Sequence, residues 1–235
     1  MMKTISTNED LLELLDELLK ENTSFDWDSF YIDREKKVPF FANHPDENVV
    51  AYFEQGYFLE RQKVLELGCG PGRNAIYFAE KGCEVDAVDA SAEALKWAME
   101  RADENNVNVN FIMENLFKLS IAEGSYDVVY DSGCFHHIAP HRRGNYINLI
   151  KRALKPNGYF ALNCFAVGGK YGGADLTDLE VYRQRSLHGG LGFTEEKLRT
   201  IFHQFQELEI RKMRLTENKD IFALDGLLTA LFKKR

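Results

Sequence analysis

Glycines at 68, 70 and 72, an acid at Glu66 just before them and a second acid at Asp89 have the spacing that ligand chemistry uses. The run Gly68-Cys69-Gly70-Pro71-Gly72 has too little side chain to continue a strand, and its backbone can come close to a bound molecule. Amides at the start of a following helix favour negative charge. A carboxylate at the end of the next strand can accept hydrogen bonds from both hydroxyls of a ribose. A second group lies at Asp131-Ser132-Gly133-Cys134-Phe135-His136-His137-Ile138. A histidine there can orient a reacting molecule or take its proton. With His141 the histidines read H-H-x-x-x-H, which fits neither H-E-x-x-H nor a cysteine-rich zinc pattern, so no metal site is expected.

These residues need elements to hold them. Residues 64–67 are a short apolar run carrying one acid, a buried-strand signal. Residues 74–81 follow with helical spacing, and 83–88 form a second apolar run closed by Asp89. Strand, glycine turn, helix, strand and acid make half of a doubly wound nucleotide-binding sheet. The dinucleotide pattern G-x-G-x-x-G fails, because Arg73 stands where its third glycine belongs. Further on, Asp46 is placed to cap a helix over 46–58, and Ser91 one that runs to about 104. Strands are expected at 107–113, 126–131 and 159–165, the last after a Lys155-Pro156-Asn157-Gly158 turn. A helix is expected over 140–154, and final strands over 205–215 and 225–232.

Glu66-x-Gly68-x-Gly70-x-Gly72, with Asp89, resembles the first motif and ribose-binding acid of class I S-adenosylmethionine (SAM)-dependent methyltransferases. The likeness runs over about 60–232. It implies a Rossmann-like α/β sheet of seven strands, order 3-2-1-4-5-7-6, strand 7 antiparallel and helices on both faces. It implies SAM as cofactor and S-adenosylhomocysteine (SAH) as product. Glu66, Gly68, Cys69, Gly70, Asp89 and Ala90 would then line the cofactor. Asn115 stands where the family commonly has an acid for the adenine amino group, and Leu116 offers a backbone N–H; Asn115 as a plain turn residue is the other reading. Carbonyls near Asp131 and Ser132 would receive the methionine amino group. The 131–138 segment resembles the family's fourth motif, with some likeness to the thiol and halide branch.

The acceptor side is less sharply written. The likeness implies that residues 1–60 form a helical and aromatic cap over the cleft of a methyltransferase domain at 61–235. Trp27, Phe30, Tyr31, Phe40 and Phe41 suit that cap, the Tyr31 hydroxyl suits a substrate contact, and ordinary core packing is the rival for each. His137 first and His136 second are the candidate groups facing the acceptor; for His136, local packing is an equal reading. Arg142 and Arg143 suit an anionic substrate or a solvated surface. A long connection at about 166–192 reads as a substrate loop, with Tyr171, Tyr182, Arg183, Arg185 and His188 as contact groups. The expected activity is methyl transfer to a small-molecule acceptor, a thiol by preference. N- or O-methylation of a small anionic metabolite, and SAM binding without turnover, remain alternatives.

The chain has 235 residues and a formal net charge of −8. Fourteen acids against seven Lys and Arg in residues 1–63 carry nearly all of that charge, which argues against a nucleic-acid partner. No stretch has the length of a membrane span or the make-up of a secretion leader. Four cysteines without a C-x-x-C pair read as free thiols in a reducing cytoplasm. Residues 8–20 place Leu11, Leu12, Leu15, Leu18 and Leu19 along one side of an amphipathic helix capped by Ser6 or Asn8, expected to pack on its own domain.

Overall fold

The computed structural model describes residues 4–20 and 25–235. Its strands are β1 (Lys63–Leu67), β2 (Glu84–Asp89), β3 (Asn110–Met113), β4 (Tyr126–Ser132), β5 (Leu154–Phe165), β6 (Gln206–Lys212) and β7 (Leu227–Lys233). They form one sheet in the order β3-β2-β1-β4-β5-β7-β6. All pairs are parallel except β5–β7 and β6–β7. The expected order and the antiparallel seventh strand are both present. The helices are α1 (Asn8–Lys20), α2 (Trp27–Ile32), α3 (Glu47–Glu54), α4 (Arg73–Glu80), α5 (Ala92–Glu104), α6 (Arg143–Ala153), α7 (Asp178–Gln184) and α8 (Glu195–Ile201).

Alternation along the strands gives the sheet two apolar faces. Val64, Val128, Ala161 and Leu231 pack with Val49, Tyr52, Phe58 and Phe78 from the α3–α4 side. Leu65, Val129, Phe160 and Phe232 pack with Tyr146, Ile150 and Phe202 on the other. Both layers are continuous, so the carboxyl ends of β1, β2 and β4 are held in a fixed relation at one edge of the domain.

Several local expectations shift. The aromatics after residue 25 lie on a short helix, α2, and on a 3-10 turn at Pro39–Phe41, where irregular chain was expected. Thr7, rather than Ser6 or Asn8, caps α1: its hydroxyl accepts from the Asp10 N–H at 3.1 Å, and Asp10 accepts in return from the Thr7 N–H at 2.8 Å. Asp46 holds the N-cap position of α3 without a side-chain cap bond; its carboxylate is taken by residues far along the chain. Lys155–Gly158 is no free turn. It belongs to β5, with a register shift opposite 126–128 and Asn157 at φ 64° absorbing the extra length.

Candidate functional site

The glycine turn is bonded to the neighbouring strand. The N–H groups of Gly68 and Cys69 both donate to the Val88 carbonyl, at 2.8 and 3.0 Å. Gly68 and Gly70 have φ of 67° and 52°, the left-handed region where a side chain is strained. Space is as tight as conformation: a Cβ on Gly68 would stand 2.6 Å from the Cys134 Cβ. Asp89 closes β2 and is locked to the turn. One carboxylate oxygen accepts from the Gly70 N–H at 2.8 Å, the other from the Ser91 N–H at 2.9 Å. Each oxygen keeps acceptor capacity. Burial raises the Asp89 pKa, while the N–H groups of Ser91 and Gly70 pull it down. Ala90 is exposed beside it. Ser91 caps α5, as expected.

Glu66 is buried under the turn, one oxygen without a partner, and burial pushes its pKa up to about 8. Next to it runs a polar network no local pattern announces. One Asp46 oxygen faces the Arg73 guanidinium. The other accepts from Asn74 Nδ2 at 3.0 Å, Tyr130 OH at 2.6 Å and Asn163 Nδ2 at 2.8 Å. Arg73 also donates to the His44 carbonyl and to Ser132 Oγ, at 3.2 and 2.9 Å, and lies over the Phe222 ring. The residue that breaks the dinucleotide pattern therefore ties the glycine turn to the end of β4.

The Asp131 side chain points inward. Tyr146 OH donates to it at 2.5 Å and the Cys134 N–H at 2.9 Å, and burial pushes its pKa up to about 7. It shapes the following turn and leaves only backbone for a ligand. Asn115 Oδ1 accepts from the Phe117 N–H at 2.9 Å and caps a 3-10 turn that begins with Leu116. Its turn role is thus realised, and its amide nitrogen is the group left over.

α2 packs on α5 and forms a strap whose first turn makes two contacts. Asp28 accepts from Ser91 Oγ at 2.7 Å. The ring of the adjacent Trp27 meets the His137 ring edge-on, centroids 4.9 Å apart. One turn further along α2 Tyr31 is buried, its hydroxyl 3.1 Å from the place a Cβ on Gly70 would take. Burial, then the nearby Asp89, raises the Tyr31 pKa. His137 is half-buried, and burial pushes its pKa down to about 4. His136 lies flat on Phe165, centroids 3.8 Å apart, and burial lowers its pKa well below the usual value. Burial raises the Cys69 and Cys134 thiols, so both stay protonated at neutral pH.

Other expected contact groups are not free. Arg142 pairs with Glu9 and Asp16 of α1, and Arg143 with Asp178 of α7. Both readings offered for them, an anionic-substrate contact and a solvated surface, give way: each guanidinium is buried and paired with an acid of a covering helix. His141 Nε2 meets Asp16 at 2.8 Å and Nδ1 meets Tyr182 OH at 2.9 Å, so His141 and Tyr182 serve the same junction. Tyr171, Arg183, Arg185 and His188 lie exposed on the outside of the 166–192 connection. Its inner side is glycine backbone against Phe165 and His136.

Residues 64–158 match the family model of a methyltransferase domain. Over 77 residues the chain is 39% identical to an uncharacterized methyltransferase of Schizosaccharomyces pombe, covering 33% of this chain and 53% of the relative. Over 130 residues it is 28% identical to the 2-heptyl-1-hydroxyquinolin-4(1H)-one methyltransferase of Mycobacteroides abscessus, covering 55% and 56%. The chain spans about half the length of the curated relatives it matches. Its fold is shared with the 1,6-didemethyltoxoflavin-N1-methyltransferase of Burkholderia thailandensis, solved with 1,6-didemethyltoxoflavin and SAH bound. That likeness has a TM-score of 0.60 at 21% identity and covers 100% of this chain and 93% of the other. Residues 64–158 therefore carry a methyltransferase domain, on a fold shared with solved SAM-dependent methyltransferases.

Proposed function

We propose that the chain transfers the methyl group of SAM to a small acceptor, a thiol or another soft nucleophile by preference. Glu66, Gly68, Cys69, Gly70, Asp89 and Ala90 hold the cofactor, Asn115 and Leu116 meet its adenine, and the backbone at Asp131 and Ser132 meets its amino acid end. Residues 1–60 form the cap over the 61–235 domain. The observation that carries this reading is the strap: one short helix touches Ser91 beside the ribose acid and His137 beside the acceptor space.

Bound SAM supplies a methyl group on a sulfonium with a good leaving group. The chain's own task is to align the acceptor and keep water out. Trp27, Tyr31, His136, His137 and Phe165 give the acceptor side mainly ring surface, which suits a small, polarizable molecule better than a polymer. Protonated Cys69 and Cys134 do not compete for the methyl group. A thiolate needs no base from the protein, and a His137 with a pKa of about 4 is a weak one. The M. abscessus relative and the B. thailandensis neighbour both have small heterocyclic substrates in their names, which supports a small acceptor here. The four cysteines are free, which suits a reducing, cytoplasmic setting. Among the described residues no helix is long and apolar enough to cross a membrane.

SAH release measured across a panel of thiols, phenols, amines and carboxylates tests the proposal. Turnover is expected on thiols or phenols, and His137→Ala is expected to lower it more than it lowers SAM affinity. SAM binding with no turnover on any member would leave a cofactor-binding protein instead.

A further inference from the structure

The Phe165 backbone N–H donates to His136 Nδ1 at 3.3 Å. That nitrogen must therefore offer its lone pair, and in the neutral ring the hydrogen belongs on Nε2. Phe165 lies against one face of the ring, and the His136 carbonyl, which accepts from the Leu191 N–H at 2.8 Å, fixes the backbone that carries it. The edge that carries Nε2 is flanked by glycine. A Cβ on Gly190 would stand 3.0 Å from Cδ2, and one on Gly133 would stand 3.6 Å from Cε1. Side chains at either position would cover this edge. Among the described residues Nε2 meets no hydrogen-bond partner, and the His137 ring, its centroid 4.4 Å from that of His136, borders the same space.

We infer that His136 is a fixed hydrogen-bond donor toward the acceptor, a positioning residue that does not abstract a proton. This deepens the proposed methyl transfer and rests on it. A donor there suits acceptors that can attack without first losing a proton: a thiolate, a phenolate or a bare ring nitrogen. An alcohol, which must lose its proton to react, gains nothing from it. The reaction then balances without a protein base. The acceptor lone pair forms the bond to the methyl carbon, the carbon–sulfur bond of the sulfonium breaks, and its electron pair stays on sulfur as SAH. Burial lowers the basicity of His136, which keeps the ring neutral as the donor role requires.

The tautomer can be read without knowing the acceptor. Long-range proton–nitrogen correlation spectra of the SAH-saturated, histidine-labelled protein give it across pH 5.5–8.5. The chain has six histidines, and the signals that vanish in His136→Gln identify this one. The inference expects a protonated Nε2 and a bare Nδ1 throughout. A proton on Nδ1, or a doubly protonated ring by pH 6, would overturn it. The spectrum decides even if no member of the acceptor panel reacts, which would count against the proposed activity alone. With a reactive thiol, His136→Gln, which keeps an N–H near the Nε2 position, should retain at least about a tenth of turnover, while His136→Ala should lose far more. Equal loss in both variants, with both folded, would overturn it as well.

Discussion

The proposed cofactor half and the proposed acceptor half of the site are built in different ways. On the cofactor side, backbone does the work. A glycine turn bonded to Val88 and locked by Asp89 comes from one continuous stretch, 64–91. On the acceptor side, side chains arrive from α2, from the turn after β4 and from β5, and each is fixed by partners far away in sequence. The first design gives a binding feature common to a fold; the second lets the same fold take different acceptors. Asp46 joins the two halves, reaching Arg73 and Asn74 on one and Tyr130 and Asn163 on the other.

The largest expected effect breaks that join. Asp46→Ala leaves Arg73 buried without its counter-charge, which costs about 3–5 kcal/mol of stability. A urea melt should show the loss; an unchanged midpoint would mean the two halves are held independently. Next comes the cofactor side alone. Asp89→Ala should weaken SAM binding by about 1.5–3 kcal/mol, the scale of charge-assisted hydrogen bonds, read by calorimetry. Unchanged affinity would remove its ribose role. Smaller again is the strap. Asp28→Ala removes the Ser91 contact and should lower turnover by a factor of about 2–10, the weight of one hydrogen bond, with less change in SAM affinity. An affinity loss as large as that of Asp89→Ala would make the strap part of the cofactor site.

The remaining effect is a pH trend, confined to one window of pH. The Glu66 pKa is raised to about 8 in the folded protein against about 4.3 unfolded. Between those values the unfolded chain loses the proton and the folded one keeps it. Stability from this group is therefore full below about pH 4.3, falls as pH rises, and levels off above about 8. Glu66→Gln has no such loss, so its melting temperature should gain on that of the natural protein between pH 5 and 8. A gap that stays constant would show an ordinary carboxylate at Glu66.

The same contrast governs what the sequence reveals. The glycine spacing, the helical period of α4 and the acid ending β2 are local patterns, and each lies where it was expected. Asp46 has the place of a cap, but its partners are 27 to 117 residues away, so no window along the chain announces its network. Arg142 and Arg143 look available until α1 and α7 fold over them. The acids of α1 that take Arg142 are Glu9 and Asp16. His136 and His137 are conspicuous as residue types, yet only the Phe165 N–H and the Trp27 ring tell the two apart.

The most direct test of the account is a calorimetric titration of SAH into the purified full chain. One saturable site per chain is predicted, accompanied by a rise in melting temperature as SAH is added. A folded protein that takes up neither SAH nor SAM would contradict it.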